Sequence, residues 1–197
     1  MKQKHLIKLS IGITATLLAV LVTGISGCDD TPYKVMSVKE GICSFSFEYP
    51  ETYTLIHLNL ENMQAARYSE VGLSASQGNS LSEIYVYIWF AGPGSSSADD
   101  IMDAALQNGN TMEDFSLVSR DTVMLGDTVS SQAVFTADST SDNSNGSELP
   151  PRPATFRVSS FIISDVAVEI VMTCDTALTE ETADHYQHVL DTFIVVD

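Results

Sequence analysis

From Val166 to Cys174 every second residue is apolar: Val166, Val168, Ile170, Met172 and Cys174. Successive side chains of an extended strand point to opposite faces, so this run has one face that must be covered. Thr155–Ile163 precedes it, separated by Ser164-Asp165 alone. Parallel strands need a crossover of a dozen residues or more, so a two-residue link means an antiparallel hairpin. The pattern recurs upstream, where Phe115–Val123 and Thr128–Ala137 flank Leu125-Gly126-Asp127. Two such hairpins commit the second half of the chain to an antiparallel sheet with an apolar face.

The remaining elements follow from the same periodicities. Gly41–Tyr49 reads as a strand with Cys43, Phe45, Phe47 and Tyr49 inward, stopped by Pro50. Tyr53–Leu60 reads as a second strand and Tyr68–Ala75 as a weaker one. Glu83–Phe90 is apolar at both parities and predicts a central strand covered on both faces. The alternative is an aromatic binding face made by Tyr85, Tyr87, Trp89 and Phe90. Gly92-Pro93-Gly94 ends this segment. Ser97 caps a helix to Asn108, with Asp99 and Asp100 in its first turn, where the helix dipole favours acids. Asp138–Pro153 is a polar loop. Thr179 caps a last helix, Glu180–Asp191, whose buried side is Ala183, Tyr186, Val189, Leu190 and Phe193. With no internal repeat, the order predicts one α+β domain, residues 41–197, with a mostly antiparallel sheet and helices against it.

The N-terminus carries a different signal. Lys2, Lys4, His5 and Lys8 precede an apolar run, Leu9–Val22, of about 14 residues, or roughly 21 Å of helix. That is short of a hydrocarbon core of roughly 30 Å, and marks a secretory signal rather than a span. Ile25-Ser26-Gly27-Cys28 resembles the bacterial lipobox: an aliphatic residue, two small residues, then the cysteine that takes diacylglycerol. Residues 1–27 therefore read as a signal peptide, Cys28 as the lipidation site, and residues 28–40 as the anchor and a flexible tether of roughly 20 Å. The expected location is the extracytoplasmic face of the cell membrane, held by lipid. Asp29 resembles an inner-membrane retention signal in some double-membraned bacteria. Removing Lys2, Lys4 and Lys8 with the signal leaves 6 basic residues against 26 acids, a net charge of about −20. Such a surface repels phosphate backbones and anionic headgroups, which argues against nucleic acid as a partner.

Several constellations bear on chemistry. Cys43 and Cys174 both fall at inward parity. They can pair in an oxidising compartment or stand as separate buried thiols. Neither has a helix start or basic cluster beside it to activate it. His185 and His188, with Asp184 and Asp191, share one face of the last helix and are the candidate metal ligands, with His57 the third histidine of the domain. Aligning Gly146 with the glycine of a calcium loop puts Ser141 and Arg152 where carboxylates are required, so that motif fails. No serine sits in G-x-S-x-G and no phosphate-binding loop is present. No cofactor is indicated.

Phe45-Ser46-Phe47-Glu48-Tyr49-Pro50-Glu51-Thr52-Tyr53 resembles the opening of PsbP-like domains, a strand of the type F-x-F-x-Y-P with an aromatic a few residues on. His185–Phe193 is similar to that family's last helix, and Phe115–Ala137 to its central hairpin with a glycine turn. The resemblance spans Gly41–Val196 in element order. It implies an α/β/α sandwich around an antiparallel sheet. The family includes an extrinsic subunit of the oxygen-evolving complex and many bacterial lipoproteins, and its common thread is docking to larger assemblies. No family active site maps onto these residues. The leading expectation is a lipid-anchored accessory domain that docks to an envelope protein and is not an enzyme. A metal- or small-ligand-binding lipoprotein and a hydrolase with a spatially assembled site are the alternatives.

Overall fold

A computed structural model describes residues 31–39, 42–60, 62–63, 66–77, 80–92, 96–139, 152–175 and 177–196. In chain order the elements are β1 (Tyr33–Val38), β2 (Ser44–Pro50), β3 (Thr54–Asn59), β4 (Asn62–Met63), β5 (Ala66–Gln77), β6 (Ser80–Phe90), α1 (Ala98–Gly109), β7 (Ser116–Leu125), β8 (Thr128–Ser139), β9 (Arg152–Ile163), β10 (Val166–Cys174), α2 (Glu180–Thr192) and β11 (Ile194–Val196). The two hairpins form as their alternation requires. β10 occupies the expected residues and turns from β9 at Ser164 (φ 48°) and Asp165 (φ 64°). Two successive left-handed residues suit the right-handed twist of a tight hairpin. Gly126, at φ 58°, does the same between β7 and β8 without a Cβ to strain.

An eight-stranded antiparallel sheet has the order β3-β5-β6-β10-β9-β8-β7, with β4 pairing β5. Consecutive residues of β10 identify its two covers. Ile170 joins the apolar cluster of Tyr186, Val189 and Leu190 from α2, whereas Val171 packs with Met102 of α1 and with Ala133, Phe135 and Val158. Neighbours along a strand face opposite ways, so α1 and α2 cover opposite faces. This is the α+β sandwich, helices on both faces of an antiparallel sheet, that the resemblance to PsbP-like domains implies. Ser97 Oγ accepts from the Asp100 amide at 3.1 Å and caps α1. Thr179 and Thr182 cap α2 reciprocally. Tyr186 Oη donates to the Ile170 carbonyl at 2.8 Å and pins α2 to the centre of the sheet.

Three findings depart from the sequence reading. Tyr33–Val38, expected to be tether, is β1, paired along its length with β2. Its few apolar positions are a weak signal, and the partner strand supplies the order. Second, β2 joins β1 and β11 in a separate three-stranded sheet, order β1-β2-β11, on the α2 side of the large sheet. There Phe193, which follows α2, stacks on Phe45 and Phe47 (centroids 5.9 and 6.3 Å) and meets Phe161 of β9 edge-on at 5.6 Å. Third, β6 is central but not covered on both faces. Ile84, Val86 and Ile88 are wholly buried toward α2, while Tyr85, Tyr87 and Trp89 are only half-buried and Phe90 is 50% exposed. The cause is that α1 packs on β8, β9 and β10, and among the described residues no element covers β6, β5 and β3 on that side to a comparable extent.

Cys28 and most of the loop Asp138–Pro153 lie outside the described residues. Among the described residues no helix is long and apolar enough to cross a membrane.

Candidate functional site

The residues singled out on α2 do not converge. His185 is buried, with its ring edge-on to Tyr53 at 5.8 Å. It lines a cavity of about 80 Å³ with Tyr53, Ser82, Glu181 and Thr182. Tyr53 Oη and Ser82 Oγ share a hydrogen bond of 2.9 Å, and burial pushes the phenol up to about 12. His188 turns to the small sheet, where its Nε2 meets Glu48 Oε2 at 3.0 Å and its ring stacks on Tyr33 with centroids 3.7 Å apart. Asp191 accepts from Gln187 Nε2 at 2.9 Å, and Asp184 is exposed. Among the described residues no group of three or more His, Cys, Asp or Glu is gathered to hold a metal. Cys43 and Cys174 are both free thiols, so of the two alternatives the structure has separate cysteines. Burial pushes Cys174 up to about 11. A cleft of about 250 Å³ between the β7–β8 turn and the end of α2 is lined mostly by Leu125, Phe161, Ile163, Leu190 and Phe193, with Asp191 its single carboxylate.

The α1-side face of β6, β5 and β3 is different. Tyr85, Tyr87 and Trp89 stand at alternate positions on it, and the two tyrosine rings are near-parallel (10°) with centroids 5.9 Å apart. The room for Tyr85 comes from the neighbouring strand, where Gly72 lies directly opposite. A Cβ on Gly72 would stand 2.8 Å from Tyr85 Cε1 and 3.1 Å from His57 Cβ. The absence of a side chain there is what lets the ring lie across β5. Carboxylates border the aromatics. Glu83 accepts a long hydrogen bond from Tyr85 Oη (3.4 Å), and burial raises its pKa. Burial and the charges of Glu83 and Glu70 push Tyr85 up to about 12. Glu70 meets His57 Nε2 at 3.4 Å. Glu169 of β10, directly opposite Tyr87, is half-buried with no cation beside it among the described residues, and burial pushes it up to about 7.

Of the expected aromatic quartet, Tyr85, Tyr87 and Trp89 share this face, whereas Phe90 has the opposite parity and pairs Val166 at the strand end. Sequence reasoning passed over Glu169, Glu70 and Gly72. The available signal was Glu169 itself, an acid midway along a strand whose other parity is wholly apolar. Gly72→Ala is expected to displace the Tyr85 ring and cost about 1 kcal/mol. Near-UV circular dichroism and thermal unfolding check this, and an unchanged spectrum and melting temperature would show the ring is not seated there.

The architecture, two helices on opposite faces of a large antiparallel sheet with a half-open aromatic face, defines a class of α+β sandwich domains. Among solved structures, the Ran-binding protein Mog1p of Saccharomyces cerevisiae is similar, with a TM-score of 0.51 and 15% identity over 85% of this chain and 97% of that one. LpqN, involved in cell envelope biogenesis of Mycobacterium tuberculosis, matches at 0.48 and 13% identity over 85% and 94%. PsbP of the cyanobacterium Synechocystis (CyanoP), the family that the opening and closing motifs resemble, matches at 0.49 and 10% identity over 89% and 99%. At 15% identity the likeness to Mog1p extends to the fold. No family model matches the chain, and no curated protein sequence matches it.

Proposed function

We propose that this chain is a lipid-anchored accessory domain on the extracytoplasmic face of the cell membrane that docks to a protein partner through the open face of its large sheet. The observation that carries the reading is the half-buried stripe Tyr85, Tyr87, Trp89, bordered by acids and left uncovered by α1. Aromatic residues with one wet edge are the side chains enriched at protein interfaces. The anchoring part rests on the signal-like start and on Ile25-Ser26-Gly27-Cys28. Mog1p, described as Ran-binding, offers a case in which this architecture serves protein binding.

Docking is favoured over catalysis on two grounds. The thiol of Cys174 and the phenol of Tyr53 are both held in their neutral forms by burial. The cavity that brings Tyr53, Glu181 and His185 together, at about 80 Å³, is several-fold smaller than the roughly 300 Å³ at which ligand pockets begin.

The test is affinity capture of the tagged protein from gently solubilised membranes, with Cys28→Ala and Tyr87→Ala forms beside it. The expected result is a stoichiometric partner with the wild type, reduced at least tenfold by Tyr87→Ala and absent with the unanchored form. A wild-type protein that stays in the membrane fraction and captures nothing sinks the reading, as does a partner indifferent to Tyr87→Ala.

A further inference from the structure

Strand register places three residues in one line across the centre of the open face. Glu70 of β5 is opposite Tyr87 of β6, and Tyr87 is opposite Glu169 of β10. Directly paired residues project to the same side, and neighbouring strands are about 4.8 Å apart, so the two carboxylates flank the tyrosine across roughly 10 Å. The line continues under α1. Ser160 of β9 is opposite Glu169 and Ser131 of β8 is opposite Ser160. These two serines are 0% and 1% exposed, and neither hydroxyl has a hydrogen-bond partner among the described residues.

Among the described residues no ion pair joins a cation to Glu169. Arg120 is held by Asp103 and Asp99 of α1. Arg157 lies over the Tyr186 ring, 4.9 Å from its centroid, on the other face. His57 Nε2 stands 3.4 Å from Glu70, at the end of the line away from Glu169. A half-buried carboxylate next to an aromatic ring, beside buried hydroxyls and with no cation against it among the described residues, is suited to take a positive charge from outside.

We infer that the line Glu70–Tyr87–Glu169 receives an arginine side chain of the partner, its guanidinium over the Tyr87 ring and its N–H groups donating to the flanking carboxylates. The inference rests on the docking reading and gives that reading its chemistry. A planar guanidinium matches this arrangement on both counts, because it stacks on aromatic rings and donates in a fork to carboxylates. The acidic chain, at a formal charge of −17, attracts a basic partner at long range, while the half-covered shelf strengthens the short-range pair.

Trp89, the chain's single tryptophan, stands next in the same stripe and reports on the site. The experiment titrates the full chain in detergent with tetra-arginine amide, following Trp89 emission and heat by calorimetry. Glu169→Gln is the test variant. Glu48→Gln removes the same charge beside His188, outside the face, and is the control. A saturable Trp89 response in the wild type, weakened at least tenfold in Glu169→Gln and unchanged in Glu48→Gln, supports the inference, as does weaker binding of tetra-lysine amide. Equal losses in the two variants reduce the binding to net charge and overturn it. Heat without a Trp89 response puts the peptide elsewhere and overturns it too. Capture of a membrane partner equally by wild type and Glu169→Gln removes the arginine line while leaving docking intact. Failure to capture any partner, with the peptide result intact, removes the docking reading alone.

Discussion

Glu169→Gln is expected to stabilise the protein by about 2–3 kcal/mol at pH 8, raising the melting temperature by roughly 5–10 °C. The sign follows from linkage. Burial raises the folded-state pKa of Glu169 from its ordinary value of 4.5 to about 7. The folded protein therefore holds this proton more tightly than the unfolded chain does. The stability that the proton contributes is fully present below about pH 4.5 and is lost as pH rises through about 7. A neutral glutamine of similar shape never ionises. The two proteins should match in stability near pH 4, diverge between pH 5 and 7, and keep a constant gap above that. The chain's other acids titrate in both proteins and cancel in the comparison. Thermal unfolding of the pair from pH 4 to 8 checks it, and a gap independent of pH would mean that the carboxylate is solvated in the folded state.

A substitution that stabilises the fold while weakening arginine binding has a direct interpretation. Chains tolerate local violations of folding logic where function requires them. An ionised carboxylate at the centre of a sheet, half-buried and with no cation beside it among the described residues, is such a violation. Nothing else on its face requires an acid: the flanking residues of β10 at the same parity are Ala167 and Val171, both compatible with burial.

What could be read from the sequence was parity, and what could not was cover. Alternation marked β10 to the residue and placed the turns at Ser164-Asp165 and Gly126, because hairpin geometry is local. In β6 the sequence reading grouped Phe90 with Tyr85, Tyr87 and Trp89, whereas strand parity sets Phe90 on one side and those three on the other. Whether that side was covered depended on where α1 came to rest, over β8, β9 and β10, and no local signal states that. The same limit hid β1 and β11, short strands ordered by pairing with β2 rather than by their own pattern. It misled on α2 as well. The i, i+3 spacing of His185 and His188 is real, yet His185 tucks against Tyr53 in the core while His188 leaves toward Glu48.

Phe193→Ala is expected to cost about 3–5 kcal/mol, a fall in melting temperature of roughly 10–15 °C. Phe193 ends α2, where its amide bonds the Leu190 carbonyl at 3.4 Å, and its side chain is 7% exposed. Its ring touches Phe45 and Phe47 of the small sheet and Phe161 of the large one. One side chain thus joins the two sheets at the point where the helix hands over to β11, and these partners, anchored in different elements, cannot collapse together into the space a methyl would leave. Ile194, one residue on and 55% exposed, is the control, and Ile194→Ala should cost under about 1 kcal/mol. Because Phe193 lies on the α2 side, the variant at 15 °C, still folded, should bind tetra-arginine amide as the wild type does. A matching loss of binding would mean that the two faces of the sheet are not independent.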